Sequence, residues 1–495
     1  MSLLDRLVAW VTRRFDRLSV VFKSREEFDL TSGDIAKPLF YLSLPIIVTN
    51  LLQTAYNLID TFWLGQYSTD ALAAISFAFP MVFLLISVGM GLSVAGSVLV
   101  AQHIGADEES DAEYAASQTV ALSLLAAILL GFVGYGFVEE LLGLLGASSD
   151  VLPLATEYMQ VISLGMPFMF GFFVFIALMR GYGDTITPML VMFGSVLLNV
   201  ILDPFLIFGW GPFPELGIEG AAIATVFSRS LALVVGLGIM FSGTRGVRIR
   251  LGQMRPDFSF ATKLVSIGFP ASIEGMGRAL SINLLLVIVA FFPDTVVAAY
   301  GIGTRVFSVI FLPAIAVARG VETMTGQNVG ANKPDRAKAA ADFAARTMFV
   351  VLGALGVVAW IGARPITAVF TDDPAVIDVG VTFLRYVAPS FGFIGVMRAY
   401  NGSFRGTGKT LTAAAIVLVI YALVRLPIAA ILSQTGMGYR GIWLAFAVSN
   451  VLGAGLAYGW YRRGTWRYVD VTGAPGAPSV GDDLEVGEPE TSTDD

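Results

Sequence analysis

Two carboxylates lie in stretches that otherwise read as lipid-soluble helix. Asp203 sits in Ser195-Val-Leu-Leu-Asn-Val-Ile-Leu-Asp-Pro-Phe-Leu-Ile-Phe208, and Asp60 in Gln53-Thr-Ala-Tyr-Asn-Leu-Ile-Asp-Thr-Phe-Trp-Leu-Gly65. An acid at membrane depth costs at least ~2.5 kcal/mol on insertion scales, so it is kept where it faces a cavity or a partner. Asn199 is four residues before Asp203, on the same helix face. Pro204 removes a backbone donor and clashes with the carbonyl one turn back, so a bend is expected around Val200, beside this polar pair. At 1.5 Å per residue both acids fall within ~10 Å of the same membrane boundary, and Thr225 reaches a comparable depth. Two acids, an amide and a hydroxyl at one level can form an oxygen-rich pocket that holds a small cation such as Na⁺ or keeps a proton on one acid. Tyr56 and Asn57 precede Asp60 by one turn and share its face.

The elements that must position these groups follow from composition. The chain has 495 residues, of which 56% are hydrophobic and only 14% charged, with mean hydropathy +0.75. That is far more apolar than a soluble core requires, and it indicates a polytopic membrane protein. No cysteine is present, so disulfides and thiolate metal sites are excluded, and the one histidine, His103, leaves little for a His-based relay. The formal charge of -7 is carried by residues 468–495, which hold eight acids and no Lys or Arg; without them the balance is about +1. The acidity therefore says nothing about a substrate, and residues 464–495 read as a disordered acidic tail. Residues 1–34 combine Leu3, Leu4, Leu7, Val8, Trp10 and Val11 with Arg6, Arg13, Arg14 and Arg17, a basic amphipathic pattern suited to a membrane surface rather than a signal peptide.

Twelve spans are expected, at 38–64, 71–102, 113–137, 151–180, 185–209, 216–242, 259–291, 296–327, 336–360, 375–404, 409–433 and 438–462, each long enough for a ~30 Å hydrocarbon core. The short loops on one side gather most of the Lys and Arg, including Arg245, Arg248, Arg250, Arg255, Lys333, Arg336, Arg405 and Lys409, while the other side has only Arg364 and Arg440. The positive-inside rule then places both termini in the cytoplasm.

Shifting the chain by 225 residues brings Pro45 onto Pro270, Gln102 with Gly105-Ala106 onto Gln327 with Gly330-Ala331, and Arg180-Gly-Tyr-Gly-Asp-Thr185 onto Arg405-Gly-Thr-Gly-Lys-Thr410. The expected fold is therefore all-α and membrane-integral, with twelve transmembrane helices in two pseudo-symmetric six-helix lobes. The N-lobe spans 35–242, a cytoplasmic linker 243–263 and the C-lobe 264–463. Gly406-Thr-Gly-Lys-Thr410 is not a phosphate loop, because that pattern needs Gly where Ser403 stands and a strand before it. Both repeat copies read as tight turns, and with no ATP site visible an ion gradient must supply the energy.

The segment Asn57 to Gly65, Gln102-His-Ile-Gly-Ala106, the turn 180–185 and Asn199-Val-Ile-Leu-Asp-Pro204 together resemble the multidrug and toxic compound extrusion (MATE) transporters, specifically their archaeal and DinF-like branch. The resemblance covers about residues 35–465. It implies that Asp60, Asn199, Asp203 and Thr225 form an N-lobe cation and proton site. It also implies antiport of organic cations or drugs against H⁺ or Na⁺, by a plasma-membrane protein that is not an enzyme and needs no further cofactor. The expected partners are small molecules and the lipid bilayer, with no nucleic acid, and the chain is expected to act as a monomer.

The second half departs from the first. Leu285 falls opposite Asp60, and arginines occupy membrane positions at Arg278, Arg305, Arg319, Arg398 and Arg425. Lining a central cleft, they would suit an amphiphilic or anionic part of a substrate. Glu274 stands four residues before Arg278 and is expected to pair with it, although some MATE branches place a cation-binding acid on this span. Met166, Met169 and Phe170 belong to an aromatic and methionine cluster in span 4 that could adapt to flat drugs. Two alternatives stay open: a flippase for lipid-linked saccharides or other amphiphiles, and an intramembrane aspartyl enzyme using Asp60 and Asp203, which would need the two carboxyls a few Å apart.

Overall fold

The computed structural model describes residues 29–144, 146, 148–467 and 469. The basic pattern at 3–17 and the acidic tail beyond residue 469 lie outside the described residues. Among the described residues twelve helices are long and apolar enough to cross a membrane: α1 (Ala36–Tyr67), α2 (Thr69–Gly105), α3 (Glu109–Leu144), α4 (Val151–Tyr182), α5 (Ile186–Phe208), α6 (Gly217–Ser242), α7 (Phe258–Val289), α8 (Asp294–Gly330), α9 (Pro334–Ile361), α10 (Pro374–Gly406), α11 (Thr410–Ser433) and α12 (Tyr439–Arg462). No strand occurs among the described residues. The expected spans match these helices closely, because long uninterrupted apolar runs leave the backbone no hydrogen-bonding option in lipid other than helix.

The repeat is visible in the packing. In α1, Leu39 and Leu42 are buried in the C-lobe core with Val321 and Met324, while Leu64 at its far end is buried in the N-lobe core with Ile75 and Ile207. Their counterparts 225 residues on, Leu264 and Ile267 of α7, are buried in the N-lobe core, whereas Leu285 and Val289 belong to the C-lobe core. Each lobe's first helix therefore begins against the opposite lobe and ends in its own. The segment before α1 reinforces this crossing: Leu30 is buried in the C-lobe core, and Arg336 donates to the carbonyls of Leu30, Ser32, Gly33 and Asp34.

At the end of the molecule that carries both terminal segments, α2 and α8 touch backbone to backbone. A Cβ on Gly105 would lie 1.9 Å from the Gln327 carbonyl oxygen, and a Cβ on Gly330 would lie 1.9 Å from that of Gln102. The two glutamine side chains close the same seam, with Gln102 Nε2 donating to the Gly406 carbonyl at 3.0 Å and Gln327 Nε2 to the Gly181 carbonyl at 3.0 Å. The turns after α4 and α10 are tight as expected: Gly183 and Gly408 take φ of +105° and +83°, and Asp184 accepts from the backbone of Ile186 and Thr187.

Pro204 does not interrupt α5, which runs helical from Ile186 to Phe208. Two spans depart from α-helical geometry among the described residues: α10 at a 3-10 turn, Ala388–Ser390, and α11 at a π-helical stretch, Val419–Arg425, whose Arg425 bonds to α12.

Candidate functional site

Asp60, Asn199, Asp203 and Thr225 arrive from α1, α5 and α6 at one place, and all four are buried. Asn199 Nδ2 donates to Asp203 Oδ1 at 3.1 Å, the i,i+4 pair the sequence spacing dictates. Tyr56 Oη donates to Thr225 Oγ1 at 2.6 Å, and the Asp60 carboxyl reaches Asp203, Thr225 and Tyr56. Asp60 Oδ1, Asn199 Oδ1 and Asp203 Oδ2 are buried with no hydrogen-bond partner. Oxygens left without a donor in a dry interior are costly unless something positive meets them. This donor set, two carboxylates and an amide carbonyl, suits a proton or a hard monovalent cation.

A further residue belongs to this pocket. Arg229 on α6 is buried, with its guanidinium 4.8 Å from the Tyr56 ring centroid and 5.2 Å from that of Phe172. Its Nη2 donates to Gln53 Oε1 at 2.8 Å, and Gln53 Nε2 donates in turn to Asn57 Oδ1 at 3.1 Å. Asn57 thus holds the residue that holds Arg229. The signal for Arg229 was present in the sequence: it stands near the middle of a 26-residue helix, too deep for its charge to reach either boundary without a partner.

Met166, Met169 and Phe170 are brought together, but inside the N-lobe core among Tyr158, Met159 and Ile162. The Phe170 ring lies where a Cβ on Gly89 would be only 2.7 Å away. In this state all three are buried in the core, Phe170 against α2 and Met166 near Gly131 of α3.

The C-lobe corrects one expectation. Glu274 does not pair with Arg278; its carboxylate receives Arg405 Nη1 at 3.0 and 3.2 Å. The same guanidinium donates through Nε to Glu322 Oε2 at 3.0 Å, which also accepts from Arg319 Nη1 at 2.9 Å, and Arg180 stands 4.0 Å from Glu322 Oε1. Arg405 therefore belongs to a buried network linking α7, α8 and α10, not to an exposed basic loop. The Arg405 guanidinium gives Nη1 to Glu274 and Nε to Glu322, so one planar group serves both acids. Arg425 is held by α12: Nε donates to Ser449 Oγ and Nη2 to Asn450 Oδ1, each at 2.8 Å, and its guanidinium carbon lies 4.3 Å from the Tyr421 ring centroid. Arg305 is exposed.

Between the lobes lies a cavity of about 230 Å³. Its N-lobe wall is apolar, with Phe83, Met90 and Val94 of α2, and its C-lobe wall carries Arg278, Arg319, Arg398 and Arg405 against Glu274.

The model of the MatE family matches residues 45–205 and 270–431, one match per lobe. An FAD transporter of Shewanella oneidensis is 30% identical over 431 residues, covering 86% of this chain and 94% of its own length. A probable multidrug resistance protein of Bacillus subtilis, YpnP, is 29% identical over 89% of this chain and 98% of its own. Among solved structures, a MOP superfamily transporter from Pyrococcus furiosus superposes with a TM-score of 0.81 at 24% identity, over 88% of this chain and 96% of that one. The chain is a multi-pass membrane protein that belongs to the MatE family, whose members are transporters and not enzymes.

Proposed function

We propose that the protein is a secondary active exporter of drug-sized organic molecules, organic cations among them, driven by exchange for H⁺ or Na⁺ at the N-lobe pocket. The observation that carries this reading is the meeting of Asp60 and Asp203 beside Asn199 and Thr225, with three of their oxygens buried and unpartnered. A cation arriving there joins α1 to α5 and α6. Because α1 also packs on the C-lobe through Leu39 and Leu42, a change at Asp60 is felt at the interface between lobes. Exchange then requires that ion and substrate stabilise different states, since equal affinity for both shifts nothing.

Several relatives are named for multidrug resistance and one for FAD, which supports a substrate of drug size over an inorganic ion. The concentration of Lys and Arg in loops on the terminal side supports cytoplasmic termini in the plasma membrane. Both lobes and the cleft between them come from one chain, which supports a monomer. The test is uptake of ethidium into proteoliposomes under an imposed pH or Na⁺ gradient. Uptake driven by one gradient and abolished by Asp203→Asn supports exchange at this pocket; failure of both gradients to move ethidium removes organic cations from the substrate class.

A further inference from the structure

We infer that the cavity between the lobes is a binding site for the anionic group of an amphiphilic substrate, with Arg278 and Arg398 as its ligands. The inference deepens the exporter reading, on which its physiological meaning rests.

The cavity's four arginines are not equivalent. Arg405 is neutralised by Glu274 and Glu322, and Arg319 by Glu322. Arg278 and Arg398 have no carboxylate within 4.0 Å among the described residues. Arg398 is 7% exposed, its Nε is buried with no hydrogen-bond partner, and the Phe311 ring lies 5.8 Å from its guanidinium carbon; the carboxylate of the same cavity, Glu274, is held by Arg405. A buried guanidinium with no carboxylate paired to it directly is expensive, and a protein keeps one where a ligand supplies the charge. Guanidinium forks match the planar or tetrahedral oxygens of carboxylate, sulfonate and phosphate.

The opposite wall fits the rest of such a molecule. Phe83, Met90 and Val94 of α2 give an apolar face across from the arginines. At about 230 Å³ the space holds an anionic head and a few carbons, below the range of a whole drug-sized ligand, so a larger body extends along the interlobe seam. The two lobes are thus opposite in character, an acidic pocket in one and an uncompensated basic cavity at the border of the other, which suits a substrate whose anion enters as the coupling cation leaves.

The anion could belong to a soluble amphiphile or to a lipid headgroup, and the experiment separates them. The full chain is placed in nanodiscs of phosphatidylcholine and titrated with two probes that share one apolar body, 1-pyrenesulfonate and pyrenemethyltrimethylammonium. The sulfonate should bind saturably, and Arg398→Gln and Arg278→Gln should each weaken it about 10-fold without weakening the cationic probe. Since Arg398 is buried, Arg278→Glu at a partly exposed position serves as the second variant and should abolish sulfonate binding in protein that stays monodisperse. Added phosphatidylglycerol that competes with the sulfonate identifies a lipid headgroup as the natural source; no competition identifies a soluble anion. Sulfonate affinity unchanged in Arg278→Glu, or equal binding of both probes, overturns the inference. Asp203→Asn should abolish ion exchange and leave sulfonate binding intact, so ion exchange that survives Asp203→Asn alongside retained sulfonate binding sinks the exporter mechanism and not the site.

Discussion

Arg405 and Glu274, 131 residues apart in sequence, meet as a buried ion pair with Nη1 3.0 Å from Oε1. The same guanidinium holds Glu322, so a single side chain of α10 fastens α7 and α8 beside the seam where α2 meets α8. Removing one member of a buried network leaves the others uncompensated, at a cost of ~3–5 kcal/mol. Glu322→Ala, which strands Arg319 and Arg405 together, should lower the unfolding midpoint in detergent strongly. Glu274→Ala should cost less, because Arg405 keeps Glu322. Equal effects would show that the network is not centred on Glu322.

Arg229 is a tethered cation next to the N-lobe acids. With Asp60 and Asp203 ionised and Arg229 charged, the pocket carries one net negative charge, which one H⁺ or Na⁺ neutralises. Arg229→Gln should raise the apparent affinity for the coupling cation about tenfold, read as the ion concentration giving half-maximal transport. An unchanged concentration would show that Arg229 serves only to pack Tyr56 and Phe172.

Gly105 and Gly330 allow α2 and α8 to touch at the terminal end of the molecule. A methyl at either position meets a backbone carbonyl, which cannot move as a side chain would. Gly105→Ala and Gly330→Ala should each push the helices apart and bias the chain toward the state open at that end. Cysteine accessibility is a clean readout because the natural chain has no cysteine: a probe at Ala101 should become reactive in the Gly330→Ala background. Unchanged reactivity would mean that the seam absorbs the methyl.

Outside the membrane, Asp257 caps α7 by accepting from the backbone of Ser259 and Phe260 and from Tyr114 Oη at 2.7 Å. The Tyr114 hydroxyl, with the two backbone donors, holds its carboxyl below the ordinary aspartate value of 3.8. A carboxyl depressed in the folded state adds stability that is present above its unfolded pKa and lost as pH falls through the lower folded value. The docking of the linker on α3 should therefore be indifferent to pH from neutrality down to about 4 and weaken only in stronger acid. Asp257→Asn should remove that acid dependence, measured by protease cleavage of the linker against pH.

Much of this was legible before any coordinates. Helix positions follow from hydropathy, and Asp60 and Asp203 stand out because a carboxylate in an apolar run has few explanations. The failures are just as physical. The spacing of Glu274 and Arg278 is a local signal, and Arg405 displaces it from another helix, which no spacing rule can see. Arg405 itself looked like a loop charge because counting basic residues near span ends treats each as solvated. Arg229 is marked in sequence only by its mid-helix position, and its partners Gln53 and Tyr56 lie on another helix, where spacing along α6 does not reach them. Met166, Met169 and Phe170 are adaptable side chains in type, and their burial in the N-lobe core is a matter of packing that residue type alone does not show.

The central claim is that substrate and a cation exchange through the Asp60–Asp203 pocket. Its most direct measurement is ion movement itself: proteoliposomes loaded with a pH or Na⁺ indicator, given substrate on one side only with no imposed gradient. The account predicts movement of H⁺ or Na⁺ opposite to substrate in the natural protein, and none in Asp203→Asn. Substrate crossing with no ion movement, or ion movement that survives Asp203→Asn, would contradict it.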